Sequence, residues 1–306
     1  MILLAVIAIK AIASQFIKHE PLRFFQFYCL QLSNKVNKAQ NSQKQQSISG
    51  TLSVWLTLLP LVVILWIFAD FVAVNELWQG LLLYVALGAF GIGAVNKSIA
   101  QALVAKQTYT AKQTLKTWVL RETKQLSTLG LTKACIEMQL LRFLQQSFVV
   151  SCLFLLLGPL VALSYRLLLE MHYCWNIKKT PYNHFGKHAN LLVNILQWLP
   201  VRLFSLLLLI STMGKNALLF WRLSRRYFTQ LNNNIALSLL AFSLEVKLGG
   251  VAMYNNEKCR KPSFNEQAKQ PEVTDIIHAN KQIVTIASLC LVFVSVIALA
   301  LFIGQN

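Results

Sequence analysis

Acidic side chains are scarce in this sequence, with 11 Asp and Glu against 29 Lys and Arg in 306 residues. Proton relays and cation pathways usually need carboxylates within the apolar segments. Here Asp70 and Glu170 stand towards segment ends, where headgroups would meet them, so an ion pump is disfavoured. Charged residues of either sign make up 13% of the chain, against about 25% in a typical soluble domain. Motifs that carry chemistry are equally thin. Leu209 stands where a phosphate-cradling loop ending at Gly214-Lys215 would need its first glycine, and Gly186-Lys187 fails the same test. The six cysteines are scattered without a CxxC pair, which excludes a disulfide framework and a zinc site. Cys152 and Cys290 lie inside apolar runs, where a thiol acts as a small hydrophobe. His184 and His188 are four residues apart, but Gly186 interrupts them and no third ligand completes a site, so neither metal nor cofactor is expected. Met1 to Ile9 has no basic n-region and no clear small-residue cleavage site, which argues against a cleaved signal peptide.

What the chain has is apolar sequence: 56% hydrophobic residues and a mean hydropathy of +0.52. Several nearly bilayer-long stretches are more than one soluble core can hide. The expected fold is all-α, a polytopic integral membrane protein with amphipathic cytoplasmic helices lying against the membrane. Residues 1–95 form the first membrane unit. They comprise a short helix over Met1 to Ile17, a cytoplasmic loop over 18–50, and a hairpin of Thr51–Val74 and Leu77–Val95 turning at Asn75-Glu76. Pro60 lies inside the first arm, with Trp55 and Trp66 as amphipathic anchors. Residues 96–146 read as a cytoplasmic helical hairpin interrupted at Ser127 to Gly130, with its second helix from Leu131 to Leu144. Residues 147–213 hold two further membrane helices, Ser147–Leu169 and Leu191–Met213. Residues 214–282 are a cytoplasmic segment with a helix near Ala236 to Leu248 and a loop after it. Residues 283–306 carry the terminal span, Ile283 to Ile303.

The bases set an orientation. Residues 18–51 hold five Lys and Arg, 96–146 eight and 214–282 ten, whereas the turn at Asn75-Glu76 and the tail after Ile303 hold none. The positive-inside rule makes the three basic segments cytoplasmic. It also explains the net charge of +18 without nucleic acid, for which no aromatic-interleaved motif is present. The expected partners are the lipid bilayer and anionic headgroups. Between two cytoplasmic segments the chain crosses an even number of times, so Ser147–Leu169 and Leu191–Met213 both cross or neither does. Length favours two crossings. That would place Lys178, Lys179 and Lys187 outside, against the charge rule, and leave Arg202 within hydrocarbon at about 2.5–3.5 kcal/mol.

Five stretches carry a family resemblance. Trp198-Leu199-Pro200-Val201-Arg202-Leu203, preceded by Lys179-Thr180-Pro181-Tyr182 and followed by Gly214-Lys215-Asn216-Ala217-Leu218, resembles the AmpE family of bacterial inner-membrane proteins. Gly158-Pro159 with Ala162-Leu163-Ser164-Tyr165-Arg166 resembles a stretch shared with the related cobalamin-biosynthesis membrane enzyme, adenosylcobinamide-phosphate synthase. Leu248-Gly249-Gly250, with Tyr254 and Pro262 beyond it, does the same. The chain departs from the synthase pattern in several places. A Gly-Arg-Asp-Thr element and an acidic run are absent after Arg142, Leu168 to His172 replace an Asn-Thr-Leu-Asp-Ser-Met run, and Lys261 replaces an arginine before Pro262.

The AmpE resemblance implies an inner-membrane regulator without catalysis of its own. Its setting would be β-lactamase induction and cell-wall recycling, with a signalling partner linked to a cell-wall amidase. The competing readings are a synthase-like enzyme of cobalamin biosynthesis and a transporter or anionic-lipid-binding module. Arg166, Arg202, Tyr254 and Lys261 are the candidate ligand or lipid contacts. For the two embedded arginines, snorkelling to phosphate headgroups competes with an anionic ligand site.

Overall fold

Among the described residues of the computed structural model, four helices are long and apolar enough to cross a bilayer: Gln43–Ala69, Thr128–Leu157, Lys187–Ile210 and Val273–Ala300. The structure describes residues 1–16, 22–38, 40–88, 90–211, 232–255 and 257–305. In chain order the helices are α1 (Ile2–Phe16), α2 (Arg23–Val36), α3 (Gln43–Ala69), α4 (Asn75–Ala86), α5 (Ile92–Val104), α6 (Thr108–Lys116) and α7 (Thr128–Phe143). A π-helical turn, Leu144–Phe148, joins α7 to α8 (Val149–Leu157). Then come α9 (Pro159–Cys174), α10 (Lys187–Ser211), α11 (Asn232–Ser243), the strands β1 (Leu248–Tyr254) and β2 (Glu257–Phe264), and α12 (Val273–Gln305). The fold is all-α and polytopic, with one small antiparallel hairpin.

The four long helices differ in what they face. In the most apolar window of residues 273–300 only 11% of residues are buried, against 44% in the windows of 128–157 and 187–210. So α12 runs along the lipid side, while the other two form the centre. Both α3 and α12 begin earlier than their apolar stretches. A capping box extends α3 into the expected loop, with Gln45 N–H donating to Ser42 Oγ (3.3 Å) and Ser42 N–H to Gln45 Oε1 (2.9 Å). Asp275 Oδ2 accepts the Glu272 amide at 2.7 Å and starts α12 ahead of Ile283. Residues 18–50 are thus only partly loop. They also contain α2, whose Phe25, Cys29, Leu32 and Val36 face turns inward.

Residues 147–169 are not one crossing helix. Gly158 (φ +87°) ends α8, and Pro159 opens α9. Glycine takes the left-handed φ without strain, and proline at a helix's first position loses no hydrogen bond. The two helices pack against each other, and Tyr165 and Tyr173 of α9 reach back to Gln145, so α9 runs antiparallel to α8. The apolar composition hid this reversal. Its consequence is that Lys178 returns to the end of the bundle that carries Arg121 and Arg142, which removes the conflict with the charge rule.

The expected helix over Leu77–Val95 is broken between α4 and α5, and the π-helical turn explains the break. The Val149 amide bonds to the Leu144 carbonyl, five residues back, instead of four. This wide turn loosens its carbonyls. Gln145 O accepts the Tyr165 hydroxyl at 2.9 Å, and Gln146 O accepts the Gly88 amide at 3.0 Å. A Cβ on Gly88 would sit 2.5 Å from Gln146 Cβ, so only glycine allows this approach. α7 continues through this turn into α8, so the boundary expected at residue 146 falls inside one continuous helix. The Gly249-Gly250 segment, expected as loop, is strand. A register shift between Gly249 and Val251 absorbs the two positive-φ glycines as a bulge.

Several polar side chains buried in the bundle find partners within the protein. Lys10, 6% exposed, donates to the Tyr84 and Leu87 carbonyls at the end of α4. Asn96 donates to Gln139 (2.7 Å), which donates to the Ile276 carbonyl (3.2 Å), tying α5, α7 and α12. Arg166 and Glu170, one turn apart on α9, form an ion pair, and Gln26 on α2 donates to the same carboxylate at 2.7 Å. Glu170 is fully buried instead of facing headgroups. Removing one member of such a pair strands the other charge, at about 3–5 kcal/mol. Glu170→Ala should therefore lower the melting temperature of the detergent-purified protein, and the double change Arg166→Met with Glu170→Leu should recover most of it. A Glu170→Ala protein that melts like the parent would contradict the assignment.

Candidate functional site

The π-helical turn also shapes a cleft at the basic end. One face of α7 supplies Ala134, Glu137, Met138, Leu141, Arg142 and, beyond it, Gln145. They recur at i, i+3, i+4, i+7, i+8 and i+11, the pattern of a single helical stripe. The loop after α6 contributes Trp118 and Arg121, the end of α9 His172 and Tyr173, the following loop Asn176 and Lys178, α11 Asn233 and β1 Tyr254. The cavity measures about 130 Å³.

Each cation in the cleft is positioned by its neighbours. Arg142 donates to the Trp118 carbonyl through Nε (3.3 Å) and Nη2 (3.0 Å). Its guanidinium lies 5.4 Å from the Trp118 ring and 5.7 Å from the Tyr173 ring. Arg121 pairs with Glu137 at 3.5 Å, and the other oxygen of Glu137 accepts the Gly249 amide at 3.2 Å. The Glu122 amide donates to the Met253 carbonyl at 2.9 Å, so the loop and the hairpin form one wall. Lys178 Nζ lies 5.8 Å from the Tyr254 ring. At the floor, Tyr173 donates to Gln145 Oε1 (2.7 Å), and Gln145 donates to Asn233 (3.0 Å).

Desolvation lifts Tyr254 of β1 above its ordinary value, so its phenol keeps its proton. Three cations and one carboxylate then face a small space with neutral hydrogen-bonding groups beside them. Guanidinium forks and an ammonium suit a phosphate or carboxylate. The volume fits one such group with a short chain and falls below the roughly 300–1,000 Å³ of sites that enclose a whole ligand. A larger molecule would enter by one end only.

The four residues singled out from the sequence do not meet here. Tyr254 lines the cleft. Arg166 is committed to Glu170 inside the bundle. Arg202 on α10 donates to Asn232 of α11 and to the Trp198 carbonyl (3.0 Å), with its guanidinium 4.6 Å from the Trp198 ring. Both arginines are buried against acceptors within the protein. The Lys261 side chain lies outside the described residues, as does the Gly214 to Leu218 motif. Among the described residues no three His, Cys, Asp or Glu cluster as a metal site. Sequence reasoning missed Glu137, Arg142, Gln145, His172 and Lys178. The stripe on α7 was the available signal, since Glu137 and Arg142 interrupt its apolar face.

The profile of the CobD/Cbib protein family matches residues 2–283. A protein of Stutzerimonas stutzeri named cobalamin biosynthesis protein CobD is 27% identical over 232 residues, 76% of each chain. One of the same name from Chromobacterium violaceum is 27% identical over 215 residues, 70% of this chain and 69% of its own. Another from Leptospira interrogans serovar copenhageni is 23% identical over 266 residues, 83% of this chain and 84% of its own. No solved structure matches the chain. These matches overturn the expectation of a regulator of β-lactamase induction: the relatives carry a biosynthetic name, and nothing in them supports AmpE membership or an amidase-linked partner. With four bilayer-length helices and a match that runs across nearly its whole length, the chain belongs to the CobD/Cbib protein family and is a multi-pass protein of the bacterial inner membrane.

Proposed function

We propose that this protein serves cobalamin biosynthesis as an adenosylcobinamide-phosphate synthase-like membrane enzyme, with the basic cleft holding the anionic end of its ligand. The observation that carries the reading is the extent of the family match. Every residue lining the cleft, from Trp118 to Tyr254, lies within the matched residues 2–283. In this reading Arg121, Arg142 and Lys178 bind the anionic group. The aromatic rings of Trp118 and Tyr173 hold Arg142 in place, and that of Tyr254 lies against Lys178. The Gln145–Asn233 pair offers hydrogen bonds without adding charge.

Amide formation driven by a nucleotide needs a divalent cation, which oxygen ligands hold. The cleft offers one carboxylate, Glu137, already engaged by Arg121 and the Gly249 amide. The described residues therefore do not fit a magnesium site built from protein carboxylates.

Two outcomes follow. Expressed in a bacterium lacking its own synthase, the protein should restore production of cobinamide phosphate; verified membrane expression without restoration would contradict the reading. In the same assay Arg142→Ala should lower production by about ten- to a hundredfold, as expected for losing a charge-assisted contact of about 1.5–3 kcal/mol, while membrane abundance stays at the parent level. Full activity of Arg142→Ala would move the site elsewhere.

A further inference from the structure

The exposed face of α2 changes character along its length. Phe24 (80% exposed), Phe27 (58%), Tyr28 (43%) and Leu30 (43%) occupy its first half. In the second half the exposed positions are Gln31, Asn34 and Lys35. At 100° per residue these seven side chains, with Arg23, share one side of the helix, opposite the inward Cys29 and Ser33. A helix lying flat on a membrane would be graded around its circumference, not along its axis. This grading instead fits a helix of about 21 Å that passes out of lipid into water.

Its neighbours run the same way. Gln26 reaches Glu170 at 2.7 Å, Trp175 Nε1 donates to the Cys29 carbonyl at 3.0 Å, and Asn37 donates to the Pro181 carbonyl at 2.7 Å. α2 therefore travels beside the chain from buried Glu170 towards the loop of Lys178 and Lys179. On its other flank Tyr28 Oη lies 3.5 Å from Thr57 Oγ1 of α3. That is the level at which α3 changes from its Gln- and Ser-rich start to the outward Trp55 (41% exposed) and Leu56 (72%). The aromatic half of α2 is thus continuous with the lipid-facing surface of α3.

We infer that Phe24, Phe27 and Tyr28 of α2, with Trp55 of α3, form an aromatic anchor in the headgroup boundary of the bilayer, at the end that carries the cleft. Tyrosine and tryptophan favour that depth because each has an apolar body and a polar tip. No Asp or Glu occurs between Glu20 and Asp70, and Lys35 stands on the water-side half of the face, so anionic headgroups meet only complementary charge there. The anchor fixes how far the cleft stands from the hydrocarbon. It is independent of what the cleft binds.

Spin-label collision measurements test this on full-length protein in vesicles containing anionic lipid. Cys152, Cys174, Cys259 and Cys290 are changed to Ala, leaving buried Cys29 and Cys135. Labels are then placed one at a time through Phe24→Cys, Phe27→Cys, Gln31→Cys and Lys35→Cys. Oxygen should collide with labels at 24 and 27 severalfold more often than a water-soluble nickel chelate does, and the ratio should invert at 31 and 35. Nickel collisions at 24 and 27 matching those at 35 would place the helix in water and overturn the inference. Low collision with both reagents at 24 and 27 would mean that a protein surface, such as a second copy, covers the face, and would overturn it equally. The two aromatic positions give independent readings should one variant fail to fold.

Discussion

The reversal at Gly158-Pro159 is the constraint on which the rest of the architecture depends. A helix entering at the basic end must come back to it, because α9 carries His172 and Tyr173 and leads to Asn176 and Lys178, which complete the cleft begun by α7. The turn needs a residue that accepts φ near +87°, followed by one that starts a helix without an amide to satisfy. Glycine and proline meet these two demands in sequence. Without the return, the cations of the 175–186 loop would stand at the other end of the bundle, and Arg121 and Arg142 would face open space.

The second demand comes from the solvent. A bilayer offers no water to a loosened carbonyl, so the wide turn at Leu144–Phe148 has to be answered from within the protein. The Tyr165 hydroxyl and the Gly88 amide answer it. In doing so they fix where α4 stops and how α9 is rotated. The same turn aims the Gln145 side chain at Tyr173 and Asn233. One local irregularity thereby links the membrane core to the floor of the cleft. Lys10, Arg166 and Arg202 follow the same rule, each buried against an internal acceptor.

Much of the plan was legible in the chain itself. Apolar run length gave α3, α10 and α12, and the lack of acids together with the clustering of bases identified one strongly basic end. What escaped was set by contacts between distant residues. Ser147 to Leu169 reads as one span because hydropathy cannot see a φ angle, although Gly158-Pro159 marks a turn in plain view. The break after Ala86 follows from Gln146, some sixty positions away, and no local pattern announces it. The hairpin at Leu248–Phe264 looked like loop because its two glycines signal a turn and equally permit a bulge. Arg166 and Arg202 drew attention as embedded charges, yet Glu170 and Asn232, which answer them, lie on one turn and on another helix respectively. The resemblance that named the superfamily rested on Gly158 to Arg166 and Leu248 to Tyr254. The finer choice between regulator and biosynthetic protein turned on missing acidic elements, which proved a poor guide.

The return of the chain at Gly158 can be tested directly by asking which side of the membrane its two flanks occupy. Single cysteines replacing Lys124, in the loop before α7, and Thr180, after α9, would be probed with a membrane-impermeant maleimide in sealed vesicles of known orientation. Reaction of both from the same face is the predicted result. Reaction from opposite faces would make Ser147–Leu169 a single crossing, separate Lys178 from Arg121 and Arg142, and remove the cleft.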